Sequence, residues 1–85
     1  MGILQRVADP TRLLAETKRT AALLSDARAV LRRVDKLAAT ARGVDDPALP
    51  QIDEVRSAVE RLVRQLGRRQ QAEQRQMKRA TARRR

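Results

Sequence analysis

The residues of this chain best suited to chemistry with a partner are the arginines and lysines gathered at its end. Arg68, Arg69, Arg75, Lys78, Arg79, Arg83, Arg84 and Arg85 fall within the last nineteen residues, where Glu73 is the only acid, so this segment holds seven of the ten net positive charges. Guanidinium forks bond phosphate in pairs, and a cationic run displaces the counterions condensed on a nucleic acid. These eight residues are therefore the candidate contacts to an RNA or DNA backbone, with low sequence specificity. Phe, Tyr and Trp are all absent, which removes the stacking platforms that read single-stranded bases. An acidic protein surface meets the same charge and is the alternative partner. An anionic membrane ranks below both, because interfacial helices ordinarily carry Trp or Phe.

Other chemistry is poorly supplied. Without His or Cys there is no imidazole base, no thiolate nucleophile and no common zinc site. Asp45 with Asp46, and Asp53 with Glu54, are adjacent pairs that suit turn and helix-start roles better than acid–base work or a calcium loop. The chain therefore reads as non-enzymatic, with no cofactor and no metal. Its longest apolar run falls far short of the roughly 20 residues that cross a bilayer. Met1-Gly2 is followed by Arg6 where a myristoylation start needs Ser or Thr. The expected location is the cytoplasm.

The elements that must position the cations are helical. Asp9-Pro10 has the chemistry of a helix start, since an Asp accepts from a free first-turn amide and proline loses no bond there. From Thr11 to Arg42 there is neither Gly nor Pro, and Leu13, Thr17, Thr20, Leu24, Ala27, Leu31, Val34, Ala38 and Ala41 recur at alternating steps of four and three, a coiled-coil seam. Leu23, Val30, Leu37 and Val44 flank it and widen the apolar stripe beyond a simple zipper. Gly43 stands where a left-handed cap would close the helix. After the turn residues Asp45, Asp46 and Pro47, Pro50 suits the opening of a second helix, with Asp53 and Glu54 facing its positive end. Ile52, Val55, Val59, Leu62 and Leu66 form its stripe, with Ala58 and Val63 alongside.

Gly67 weakens helix propensity by about 1 kcal/mol and the apolar stripe stops there, so packing order is expected to stop there too. Arg32, Arg33, Lys36 and Arg42 on the first helix, and Arg56, Arg61 and Arg64 on the second, read as a face laced with salt bridges, Asp35 serving Arg32 and Glu60 serving Arg56 or Arg64.

The pattern predicts an all-α protein: an antiparallel two-helix hairpin with a long helix over about 10–42, a second over about 50–66 that can extend to about 78, and a basic C-terminal arm. Residues 1–8, with Ile3, Leu4 and Val7, form a docking or frayed segment, 9–66 the hairpin and 67–85 the arm. A first helix twice the length of its partner leaves stripe uncovered. Leu13, Leu23, Leu24, Val30, Leu31, Val34, Leu37, Val55, Val59, Leu62 and Leu66 are then the candidate surface for a homo-oligomer, a helical bundle or a larger assembly. The expected role is assembly or scaffolding, with the arm on nucleic acid; the alternative is a structural subunit whose arm docks on an acidic protein.

Overall fold

The computed structural model of the chain describes residues 10–83, so Ile3, Leu4 and Val7, like Arg84 and Arg85, lie outside the described residues. Two helices form an antiparallel hairpin: α1, Pro10–Gly43, and α2, Leu49–Arg83. The molecule is a rod of 62 × 23 × 14 Å. Its thickness is that of a single helix, so one seam between the two helices is all the core the hairpin has.

The α1 side of that seam is the one its spacing predicts. Leu13, Thr20, Leu24, Ala27, Ala38 and Ala41 are buried, and Thr17, Leu31 and Val34 are half-buried between them. Alanines at three of these positions let the backbones approach closely. On α2 the seam runs through Ile52, Arg56, Val59, Val63, Leu66, Gln70, Glu73, Met77 and Ala80, all buried or half-buried. This differs from the sequence expectation by one position in the first turns: Val55 and Leu62 are exposed, while Arg56 and Val63 face α1. Arg56 is tolerated there because its stem covers apolar surface while its guanidinium reaches Asp35 on α1 and Glu60 on α2.

Three further expectations are corrected. Gly67 does not end packing: α2 continues unbroken through it to Arg83, and Gln70, Glu73, Met77 and Ala80 keep the seam going beside the first turns of α1. Gln, Arg, Glu, Met, Lys and Ala all favour helix, and together they outweigh one glycine. The helices are thus of nearly equal length, 34 and 35 residues, and unequal length leaves nothing uncovered. A Cβ at Gly67 would meet nothing within 4 Å. Gly67→Ala is therefore expected to stabilise the hairpin by about 1 kcal/mol, checked by urea unfolding; a lower midpoint would show that the glycine is needed for a bend.

The turn also differs. Gly43 lies within the last turn of α1, and the left-handed residue is Asp45, with φ of 53°. Asp46 N–H donates to the Ala41 carbonyl at 2.9 Å and Asp45 N–H to the Arg42 carbonyl at 3.3 Å, the paired bonds of a Schellman cap. Asp46 Oδ1 then accepts from Ala48 N–H at 2.8 Å, capping the next helix. Consequently α2 starts ahead of Pro50, and Leu49 N–H supplies the bond to the Asp46 carbonyl, at 3.1 Å, that proline could not. Asp53 falls one turn further in and pairs across the hairpin with Arg42 at 3.7 Å.

Candidate nucleic-acid interface

Heptad notation places every exposed group. With the seam at a and d, the antiparallel arrangement brings e positions of the two helices to one side and g positions to the other. The e side is ionic: Asp35 and Arg42 on α1 meet Arg56, Glu60 and Asp53 on α2. Being only partly buried, these pairs fix register and contribute about 0 to 1 kcal/mol each. Glu60 was expected to serve Arg64 as readily as Arg56, and Asp35 to serve Arg32. In the structure both acids converge on Arg56.

That choice leaves Arg61 and Arg64 without an acid. With Arg68, Arg75, Lys78 and Arg79 they lie at positions f, b and c of α2, pointing away from α1, and all six are exposed. None of the six forms an ion pair among the described residues. Steps of three, four and seven residues confine them to a face about 100° wide and, at 1.5 Å per residue, about 27 Å long. The cations recur on average about every 5 Å along a straight helix, wider than the roughly 3.4 Å axial repeat of phosphates on one duplex strand.

The sequence-predicted site is thus partly regrouped. Arg68, Arg75, Lys78 and Arg79 belong to the row, Arg83 ends the helix, and Arg84 and Arg85 lie outside the described residues. Arg69 points elsewhere: its Nε donates to Thr20 Oγ1 at 3.1 Å and lies 3.8 Å from Glu73 Oε2, so it ties the two helices together. Thr20 is fully buried. Thr17 Oγ1 donates to the Leu13 carbonyl at 2.8 Å and sits 3.3 Å from Met77 Sδ. Away from the turn the seam is therefore polar at Thr17, Thr20, Gln70 and Glu73, whereas from mid-rod towards the turn it is mainly aliphatic, beginning with Leu24, Ala27 and Leu66 packed against Val63.

Arg61 and Arg64 were the residues that sequence reasoning assigned to salt bridges. The signal that groups them with the row is their f and b register, which Arg68, Arg75 and Lys78 continue once Gly67 is read as helical, with Gln71 at the intervening b position.

Of the candidate interface residues, Leu13, Leu24 and Leu66 are buried within the hairpin, and Leu31, Val34 and Val59 are half-buried there. Leu23, Val30, Leu37, Val55 and Leu62 remain exposed. Among the described residues no group of three or more acids is placed to hold a metal ion, and no helix is long and apolar enough to cross a membrane.

Fold and surface together define a class, an all-α helical hairpin with a cationic outer face. Beyond the class the comparisons are silent: no protein-family model matches the chain, and no curated protein or solved structure matches it significantly.

Proposed function

We propose that this is a non-enzymatic assembly or scaffolding protein that grips the phosphate backbone of RNA or DNA with the outer face of α2 and associates through its exposed aliphatic side chains. The observation that supports the reading is the row of Arg61, Arg64, Arg68, Arg75, Lys78 and Arg79, exposed and free of ion pairs among the described residues. Glu16, Asp35, Asp53, Glu60 and Glu73 pair with arginines outside the row, which leaves the row's charge for a polyanion. Held on a helix, the six side chains lose less freedom on binding than they would on a loose tail. With no aromatic residue in the chain, recognition falls to phosphate and groove shape, with little reading of base identity.

Titration of random-sequence duplex DNA and RNA against salt tests this. If all six cations contact phosphate, the log–log slope on duplex DNA is about −5. Indifference to both nucleic acids at low salt would sink the reading and leave an acidic protein surface as the partner of the row.

A further inference from the structure

Among the described residues, six of the seven exposed large aliphatic side chains fall on one side of the rod. Leu23, Val30 and Leu37 are g positions of α1, Val44 stands one heptad on from Leu37 just past the helix end, and Val55 and Leu62 are g positions of α2, with exposures of 43% to 70%. The side they share is opposite the ionic e edge. We infer that this face is covered by a second copy of the chain, the two hairpins packing face to face with their turns at opposite ends. The inference rests on the assembly half of the function proposed above and is independent of the phosphate half.

Three observations select a second copy. The first is area. The exposed parts of these six side chains amount to about 500 Å² per hairpin, so two facing copies remove about 1,000 Å² of aliphatic surface before any rim is counted, the size at which a specific interface begins. The second is symmetry. A two-fold axis perpendicular to the rod, passing between Val30 and Leu37 of α1, sets Val30 against Leu37 of the second copy and Leu23 against its Val44. Leu24 with Leu66 and Asp35 with Arg56 fix the level of one helix against the other. At that level the same axis crosses α2 near Ser57, between Val55 and Leu62 but off their midpoint, so the α2 pairs of the two copies lie side by side with a stagger of about 5 Å. The face is complementary to itself, as an isologous dimer requires.

The third observation is charge, and it sets the orientation. Residues 31–63, which carry most of the face, hold six basic and six acidic residues. Residues 10–30 and 64–83 hold eleven basic and three acidic ones. Turns at the same end would lay two strongly positive halves side by side. Turns at opposite ends overlap the neutral halves, and Asp45 and Asp46 of one copy come to the level of Arg69 of the other. The cationic rows then project from the two ends of one four-helix body.

Light scattering across concentration, with no nucleic acid present, tests the dimer. The native chain is expected to have twice its chain mass at high micromolar concentration. Val30→Asp/Leu37→Asp is expected to have single mass with its helical circular dichroism retained, since both side chains are exposed in the hairpin; Ala22→Asp, on the far face of α1, keeps the doubled mass. The chain has no cysteine, so an equimolar mixture of Leu23→Cys and Val44→Cys chains reports orientation, and a disulfide between the two species is expected. A native chain that stays at single mass, or double mass that survives Val30→Asp/Leu37→Asp, would overturn the inference. A disulfide forming instead in a mixture of Val30→Cys and Leu62→Cys chains would put the turns together and overturn the orientation.

Discussion

Replacing Arg68, Arg75, Lys78 and Arg79 with glutamine is expected to flatten the salt dependence of nucleic-acid binding. With six phosphate contacts at about 0.9 in slope each, the native protein loses roughly 10³-fold in affinity for duplex DNA between 50 and 200 mM salt. With two contacts left the loss over the same range is only about tenfold. Glutamine keeps helix propensity and a polar, uncharged side chain at positions that are exposed, so the hairpin stays folded while the charge is lost. The control is Arg32, Arg33 and Lys36 on α1, which are also exposed. Their replacement by glutamine removes three charges from a different face and is expected to leave the slope within about one unit of native. An equal fall in both variants would mean that net charge, and no particular face, sets binding.

The row of cations can work as a unit because α2 does not stop at Gly67. A disordered arm would present the same charges at shifting distances, whereas the helix fixes them on one side of a rod whose other side is anchored to α1. The polar end of the seam contributes to this. Thr20 is buried against the Arg69 guanidinium, and Glu73, its side chain 12% exposed, packs nearby with Oε1 lacking a hydrogen-bond partner among the described residues. Polar groups at a and d weaken packing relative to leucine while restricting the register. The two ends of the rod are therefore built differently: an aliphatic half near the turn that supplies cohesion, and a polar, cationic half that presents charge.

Much of the hairpin was legible in the sequence, and the departures have identifiable causes. The α1 seam could be read because its small and aliphatic residues keep strict heptad spacing over four heptads, with no competing stripe of equal strength on the opposite face. On α2 two apolar lines run side by side, Val55 and Leu62 on one and Val63 on the other, and hydropathy alone favours the wrong one. Arg56 settles the matter through Asp35, a residue on the other helix, and that information is absent from the local pattern. The turn was misread in the same way. Glycine at 43 is the obvious candidate for a left-handed cap, but Asp46 must reach Ala48 to start α2, and this moves the left-handed residue to Asp45. The cationic site was visible as composition, while its membership was not: the loss of Glu60 to Arg56 frees Arg64, and the helical register adds Arg61.

The same chemical change, leucine to aspartate, is expected to have opposite consequences at two places 13 residues apart. Leu24 is 2% exposed at the centre of the aliphatic cluster with Ala27, Leu66 and Val63. Leu24→Asp removes that packing and buries a carboxylate in an aliphatic cluster, a loss of at least about 4 kcal/mol. The whole stability of an 85-residue chain is about 4 to 13 kcal/mol, so the variant is expected to lose most of its helical signal at room temperature. Leu37 is 54% exposed. In the isolated hairpin Leu37→Asp costs within about 0.5 kcal/mol, and its helix content stays native. What it gives up is the second copy, together with the concentration-dependent part of the melting temperature that association adds. Helical circular dichroism and melting at two protein concentrations separate the outcomes. If Leu24→Asp stays folded, the seam between α1 and α2 is not where cohesion resides.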